Sequence, residues 1–503
     1  MSGQQIEPPP SASALERTDP HDPTTWKMAP TTTLSLEQRI LAGLRAKGYP
    51  ATSVELDPSK LKGGYICDTM RVFIGYGAKS ASPNAHGARE EAEARLTDKS
   101  VEKALPKSVQ ERPTSAILKI ASPMSNDHDV AMKLRLYERE WHFYETLSSR
   151  VPVRVPNHLG SVKDEATGLI TEGVLLEDLE VPGAVLCPKM DEAAVLKTVS
   201  HMARHHAQFW NMPELSSGAL GIKPHNGSWY QPGWGNDVAG YWPEFERKWR
   251  ARAGGDAAGP GLPEDAFKVG KMIVDSFAWV QDELSSKPHT FNHGDVKPPN
   301  MFMMPGEHPA FIDWQYTAVG KGCQDIVFFL IEGYEVEECR RLEPIVLAHY
   351  HASLVHNGIL DYSIDDLKRD WQLACMHFPF YVAMWFGTTP DDQLVDPSFP
   401  RRFVPRAFDA ILRNCAMDIL PNTSKAKLSI DVSDRRNSRD GDEFDELLTA
   451  PVPDNLEQCQ AALVKMRTSM TELRRQRDAY KIAMDDIKKV AAAVTRDHPL
   501  SPM

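Results

Sequence analysis

Two carboxylates and an amide, set 18 residues apart along one stretch of chain, constrain this sequence more than any other feature. The stretch opens with His293-Gly294-Asp295-Val296-Lys297-Pro298-Pro299-Asn300, and Phe311-Ile312-Asp313-Trp314 follows. An Asp, an Asn five positions on and a second Asp behind a hydrophobic residue suit magnesium-assisted phosphoryl transfer. A short loop must hold one carboxylate at an acceptor hydroxyl while its Asn oxygen reaches the metal. The second carboxylate, arriving on a neighbouring strand end, must bind magnesium and link it to nucleotide phosphates. A fold that holds these residues needs a loop and a strand end side by side. HxD and IDW strings also occur by chance in loops; both together, in this order, favour the chemical reading.

The rest of the chain supplies the surrounding frame. Residues 1–33 are rich in Pro, Ser and Thr and are expected to be a disordered tail. Ser35 caps a helix over Leu36–Lys47, with Gly48 just beyond it. Thr52–Leu56 and Met70–Tyr76 read as strands around Lys62-Gly63-Gly64, where Gly63 and Gly64 fit either a phosphate-cradling turn or a plain hairpin. Residues 77–112 mix Ala, Glu, Arg and Lys with little periodicity and read as an inserted loop. Ala116-Ile117-Leu118-Lys119-Ile120 resumes as a strand, and Ala131–Leu147 reads as a charged amphipathic helix. Lys119 would be a costly ammonium in an apolar strand unless phosphates and a carboxylate pair with it. Val174–Leu179 reads as a strand leading into a connector, and from Asp191 to Leu420 the pattern is mostly helical.

At the HGD loop and the IDWQ segment, with Gly322-Cys323-Gln324-Asp325-Ile326-Val327-Phe328-Phe329-Leu330 after them, the chain resembles the aminoglycoside phosphotransferase/choline kinase-like superfamily. Its closest likeness there is the ecdysteroid-kinase-like branch. HGD stands where protein kinases have HRD, and only 11 residues separate Asp313 from Asp325, too few for an activation segment. Trp314 for Phe and the Lys297-Pro298 pair depart from the branch pattern. The resemblance spans about residues 50–420. It implies an α+β, bilobal protein-kinase-like fold, with a small β-rich N-lobe over 34–174 and a larger, mostly helical C-lobe over 175–421.

The same resemblance implies roles. Asp295 would orient the acceptor hydroxyl and accept its proton. Lys297 would touch the transferred phosphate, as its protein-kinase counterpart does, or face solvent. Asn300 and Asp313 would hold Mg2+. Lys119 would meet the α- and β-phosphates of ATP beside Glu140, the helix Glu before the family's Phe-Tyr pair, with Glu138 as a rival choice. Backbone groups near Glu177 and Leu179, in the connector Leu175–Leu179, would pair with adenine. Asp325 fits an N-cap or a brace for the catalytic loop, His293 a hydrogen-bonded structural imidazole, and His206 a packing position.

Aromatic residues cluster twice, at Trp229–Trp249 and at His377-Phe378-Pro379-Phe380-Tyr381 with Trp385-Phe386. Both suit helix–helix core or the wall of a flat or cyclic apolar acceptor site, and the Trp faces also suit a quaternary ammonium. The net charge of −12 gives no basic footprint for nucleic acid or an anionic membrane. Seven scattered Cys without CxxC spacing read as reduced thiols, and no apolar run is long enough to span a bilayer. A cytoplasmic protein is the expectation.

Residues 422–453 read as a polar linker, and 454–496 as one long helix. In its heptads the a and d positions from Leu456 to Val494 are apolar except Arg477, whereas e carries Arg467, Arg474, Lys481 and Lys488. A one-signed e row opposes self-pairing, so docking in cis or on another protein is expected. The sequence thus predicts an ATP- and Mg-dependent kinase acting on a hydroxyl of a small molecule. A catalytically silent scaffold presenting the C-terminal helix is the alternative.

Overall fold

The structure, a computed structural model, describes residues 15–17, 26–28, 34–61, 66–77, 112–122, 128–164, 168, 170–226, 234–252, 261–306, 308–390, 394, 396 and 398–421. Gly63 and Gly64, nearly all of the inserted loop, the linker and the heptad segment lie outside these residues. So does Cys459; the other six cysteines are free thiols. Strands β1 (Leu15–Arg17) and β2 (Trp26–Met28) pair antiparallel within the segment expected to be a tail.

Helix α1 (Leu36–Ala46) begins where a reciprocal cap fixes it. The Ser35 hydroxyl accepts from the Gln38 amide, and the Gln38 side chain accepts from the Ser35 amide. Five strands follow: β3 (Ser53–Lys60), β4 (Cys67–Gly75), β5 (Ser115–Ala121), β6 (His158–Lys163) and β7 (Thr171–Glu177). They form an antiparallel sheet in the order β3-β4-β5-β7-β6. Ile40 and Leu44 of α1 pack on this sheet with Val72, Leu118, Leu159 and Leu175. The approach is backbone to backbone, since a Cβ on Gly43 would lie 2.4 Å from the Ser161 carbonyl oxygen. Side chains alternate along a strand. With Ala116 and Leu118 buried toward α1, Lys119 of β5 points to the other face.

On that other face the expected single helix over 131–147 is broken. Helix α2 (His128–Lys133) and helix α3 (Leu136–His142) meet at Arg135, whose φ of 54° is left-handed, and a π-helical turn Phe143–Leu147 continues α3. The break lets Leu134 and Leu136 bury together, which a continuous helix would place about 200° apart.

Past the connector, β8 (Val185–Leu186) leads into helices α4 (Glu192–Gln208), α5 (Pro213–Ser216), α6 (Trp234–Arg252), α7 (Glu264–Asp275) and α8 (Phe277–Ser285). Two small sheets follow. Strand β9 (Thr290–Asn292) pairs with β12 (Ala318–Gly320), and β10 (Met301–Met304) lies between β11 (His308–Phe311) and β8. The catalytic loop therefore spans β9 to β10, and Asp313 follows β11. Helices α9 (Cys323–Gly333), α10 (Val336–His356), α11 (Ile364–Cys375), α12 (His377–Val382) and α13 (Phe399–Arg413) close the larger lobe around Phe329, Tyr350, Trp371 and Phe403. This is the bilobal protein-kinase-like α+β architecture. Among the described residues no helix is long and apolar enough to cross a membrane.

Candidate active site

The two sequence motifs and the strand lysine converge. Lys119 Nζ donates to Glu140 Oε1 at 2.5 Å and to Asp313 Oδ1 at 2.6 Å, joining β5, α3 and the β11 end. Glu140 is fully buried, whereas the side chain of Glu138 is 57 % exposed and pairs with Arg135, so the lysine's partner is Glu140. Burial works to lower the Lys119 pKa, but Asp313 and Glu140 outweigh it and hold the ammonium well above its ordinary range. Burial pushes the Glu140 carboxyl up, to about 7, against the pull of Lys119. For Asp313 burial pulls upward too, yet Lys119, with Lys297 and His293 behind it, keeps the carboxyl below the usual range.

In the catalytic loop, Lys297 Nζ lies 3.0 Å from Asp295 Oδ1, with its side chain 17 % exposed; it faces Asp295, not solvent. Asn300 Nδ2 donates to Asp295 Oδ2 at 2.7 Å and to the Asp295 carbonyl at 3.0 Å. Burial raises the Asp295 carboxyl to about 6, with Lys297 and Asn300 pulling the other way. Lys297 is held above its ordinary range because Asp295 and Glu332 outweigh the cost of burial.

The loop is fixed from below. Asp325, in the first turn of α9, accepts from the amides of His293 at 2.8 Å and Gly294 at 2.7 Å, and His206 Nε2 lies 3.1 Å away. Of the two readings open in sequence, this is the brace. His293 Nδ1 accepts from the Asp295 amide, so its Nε2 carries the proton it gives to the Ile312 carbonyl at 3.0 Å. That imidazole ties the base loop to the Asp313 loop and is structural. Gly294 has φ 83°, and a Cβ there would meet the Tyr316 carbonyl oxygen at 2.1 Å.

Three ties were not legible in the motifs. Arg139, 3 % exposed, donates to the carbonyls of Tyr316 at 2.9 Å and Thr317 at 2.5 Å, clamping α3 onto the segment after Asp313. Trp314 stacks on Phe143 with centroids 4.1 Å apart and planes 4° from parallel, and its Nε1 donates to the Phe311 carbonyl. Gln315 Nε2 reaches Asp313 Oδ2 at 3.5 Å. The departure from Phe to Trp at 314 thus fills a stack between α3 and the metal-side loop. Only the Glu138-Arg139-Glu140 run hinted at the first, since one of three adjacent charges had to point inward.

A divalent cation fits these residues. Asn300 spends its amide hydrogens on Asp295, and among the described residues its side-chain oxygen accepts from nothing. Asp313 Oδ2 has only the long contact to Gln315. The described residues hold no cluster of three or more His, Cys, Asp or Glu that suits a metal. One carboxylate and one amide oxygen, the balance coming from water and phosphate, match the sparse protein ligation of Mg2+.

The connector Leu175–Leu179 is fixed by its side chains. Its acidic side chains turn back to the sheet, Glu177 to Arg154 at 2.5 Å and Asp178 to Arg71 at 2.7 Å. The Glu177 amide is taken by the Asn157 carbonyl, while the Leu179 amide has no partner among the described residues. Leu179 is buried with Phe302 and Ala310, beside Ile312 and Met304, which makes an apolar floor under that amide.

Behind Asp295 a cavity opens between Gly294, Tyr316 and the α9, α11 and α12 helices, walled by Phe328, Phe378, Phe380 and Tyr381. The second aromatic cluster therefore lines it. In the first cluster Trp242, Phe245 and Trp249 are buried core, and Trp229, Tyr230 and the Trp234 side chain lie outside the described set. The cavity has about 50 Å³ of room, enough for a few waters.

No curated protein matches the chain. Among solved structures, the apoenzyme of a macrolide 2′-phosphotransferase from Brachybacterium faecium aligns with a TM-score of 0.37 at 13 % identity, over 74 % of this chain and 96 % of that one. A choline kinase from Streptococcus pneumoniae gives 0.34 at 14 %, over 66 % and 99 %. An ethanolamine kinase from Plasmodium vivax gives 0.36 at 12 %, over 75 % and 83 %. Residues 98–360, just over half of the sequence, match the ecdysteroid kinase-like family. They include Lys119, Glu140, the Asp295 loop and Asp313, and the chain belongs to that family.

Proposed function

We propose that this chain transfers the γ-phosphoryl group of ATP to a hydroxyl of a small molecule. The observation that carries the reading is the complete convergence of Lys119, Glu140 and Asp313 across the cleft, with Asp295 open to an adjoining cavity. Lys119 is oriented by Glu140 and supplies the cation for the nucleotide's α- and β-phosphates. The Leu179 amide and the floor around Phe302 receive the adenine ring. Gly63 and Gly64, outside the described residues, are candidates for contact with the phosphates on sequence alone. Asn300 and Asp313 hold Mg2+, which neutralises charge developing on the phosphates.

Asp295 then does the acceptor chemistry. Its carboxylate, steadied by Asn300, orients the hydroxyl and takes its proton as the oxygen attacks the γ-phosphorus, whose bond to the β–γ bridging oxygen breaks and leaves that electron pair on ADP. Lys297, 3.0 Å from Asp295, is placed to meet the oxygens of the transferred group. Positioning and charge account for most of what this reaction needs from a protein.

A silent scaffold differs by losing one of these groups, and all five core positions are present. Calorimetric titration with ATP, with and without Mg2+, separates the two readings. Binding strengthened by Mg2+ in the wild type but not in Asp313→Asn is expected. Absence of any nucleotide binding by folded protein would sink the proposal.

A further inference from the structure

The cavity beside Asp295 has an end that the transfer chemistry does not use. Among the described residues, three side chains at this end keep buried polar atoms outside hydrogen-bond geometry. His225 is 7 % exposed with neither ring nitrogen in good geometry, although the Gln324 side chain lies near enough to act on the ring. His377 packs edge-on against it with ring centroids 5.4 Å apart, and its Nδ1 is also buried without a partner. Asn292, 1 % exposed, donates through Nδ2 to the Lys321 carbonyl at 2.8 Å and leaves Oδ1 unbonded. All three line the same cavity as Asp295. A buried polar group left unsatisfied is costly, so three at one place call for a partner that supplies both donors and acceptors.

Charge narrows what that partner is. The acidic residues lining the cavity are Asp295 and Asp325, and both are committed, one to Lys297 and Asn300, the other to the loop amides and His206. The lining guanidinium, Arg139, adds positive charge. Burial lowers the pKa of His225 to about 3 and of His377 to about 4, so both rings are neutral near pH 7, each with one donor and one acceptor nitrogen. No uncommitted carboxylate lines this end, so its neutral imidazoles suit a hydroxyl or carbonyl better than an ammonium.

We propose that His225 and His377 are specificity-determining residues that bind a second, uncharged oxygen of the acceptor while Asp295 engages the hydroxyl to be phosphorylated. The pair selects a compact alcohol with an apolar body and two oxygens over one bearing an amine. The assignment rests on the phosphotransfer reading of the cavity.

The test uses the full chain and three probes of one shape: cyclohexanol, trans-cyclohexanediol and trans-aminocyclohexanol. Binding is read from ring nitrogen signals of isotope-labelled histidine, assigned with His225→Gln and His377→Gln, and turnover from ADP release. The diol should shift both assigned ring signals and exceed the other two in kcat/KM by about tenfold, the worth of one or two neutral hydrogen bonds. In His225→Phe and His377→Phe that preference should fall to near unity, with partial return in the Gln variants, which keep a donor and an acceptor.

Ring signals that the diol leaves unmoved would overturn the proposal and reduce the pair to a holder of buried water. So would a preference that both Phe variants retain, or a better response to the amino alcohol. Failure of ATP to bind would instead sink the phosphotransfer reading, and the ring signals still report on the pair.

Discussion

Asp313 holds φ 69° and ψ 60°, a left-handed conformation that costs a non-glycine residue about 1–2 kcal/mol. Asn tolerates that region as well as Asp does, so Asp313→Asn tests charge with little change of backbone. Loss of Mg-dependent turnover by several orders of magnitude, with a melting temperature within a few degrees of wild type, is expected; near-wild-type activity would remove Asp313 from the site. Lys119→Ala is the harsher change. It leaves the buried Glu140 carboxylate without its cation, a loss of about 3–5 kcal/mol when such a pair is broken, partly offset as Glu140 takes up a proton. Weaker ATP binding together with lower thermal stability should follow, and unchanged kinetics would show that the strand lysine is not the phosphate ligand. The sequence singled out Asp313 by the spacing of its motif and Lys119 as a charge in an apolar strand. It placed His377 only within an aromatic cluster and passed over His225, because a histidine's lack of a partner is a fact of tertiary packing and leaves no mark on local pattern.

At the scale of elements, the catalytic loop is held by α9 through one carboxylate. Burial acts to raise the Asp325 pKa, but His206 and the loop amides overcome it and hold the carboxyl below its ordinary range. A lowered folded-state pKa means that this stabilisation is full above the usual carboxylate range and is lost as pH falls through the folded value. Denaturant melts from neutral to acidic pH should therefore show a shallower acid loss for Asp325→Asn than for wild type. At neutral pH the variant should be less stable and its kcat reduced. Equal slopes would place the acid sensitivity elsewhere. Gly294→Ala should damage the same loop, since its Cβ would strike the Tyr316 backbone; recovery of a stable, active Ala variant would show that the loop relaxes. Patterning anticipated β3, β4, β5 and β7 of the large sheet and the α1 cap, because period and capping are local, and it missed β6. The break at Arg135 escaped it: Leu134 and Leu136 bury together only because the sheet and the larger lobe surround them.

Across the whole molecule, the described residues of both lobes fall within one compact unit. Deleting residues 77–112, which composition reads as an inserted surface loop, should leave ATP affinity nearly unchanged, because such an insertion contributes little beyond slowly varying loop entropy. Unfolded protein on deletion would place that segment in the core. The heptad segment 454–496 lies outside the described residues, and its docking in cis or on another protein rests on the basic e row. Truncation after Pro421 checks it by melting temperature and by mass in solution. Lower stability in a protein that still binds ATP is expected; conversion of a dimer to a monomer would favour self-pairing. The fold class was readable because two motifs fix what must surround them. The acceptor was not, because the cavity is assembled from side chains as far apart as Arg139 and Met384.

The most direct measurement is transfer itself: γ-labelled ATP with Mg2+, the full chain and a library of small alcohols, beside Asp295→Asn and Asp313→Asn. Label appearing on a small alcohol with the wild type, dependent on Mg2+ and absent with both variants, is the result predicted. Mg-dependent ATP binding with no label transferred to any alcohol, or transfer that survives either substitution, would contradict the account.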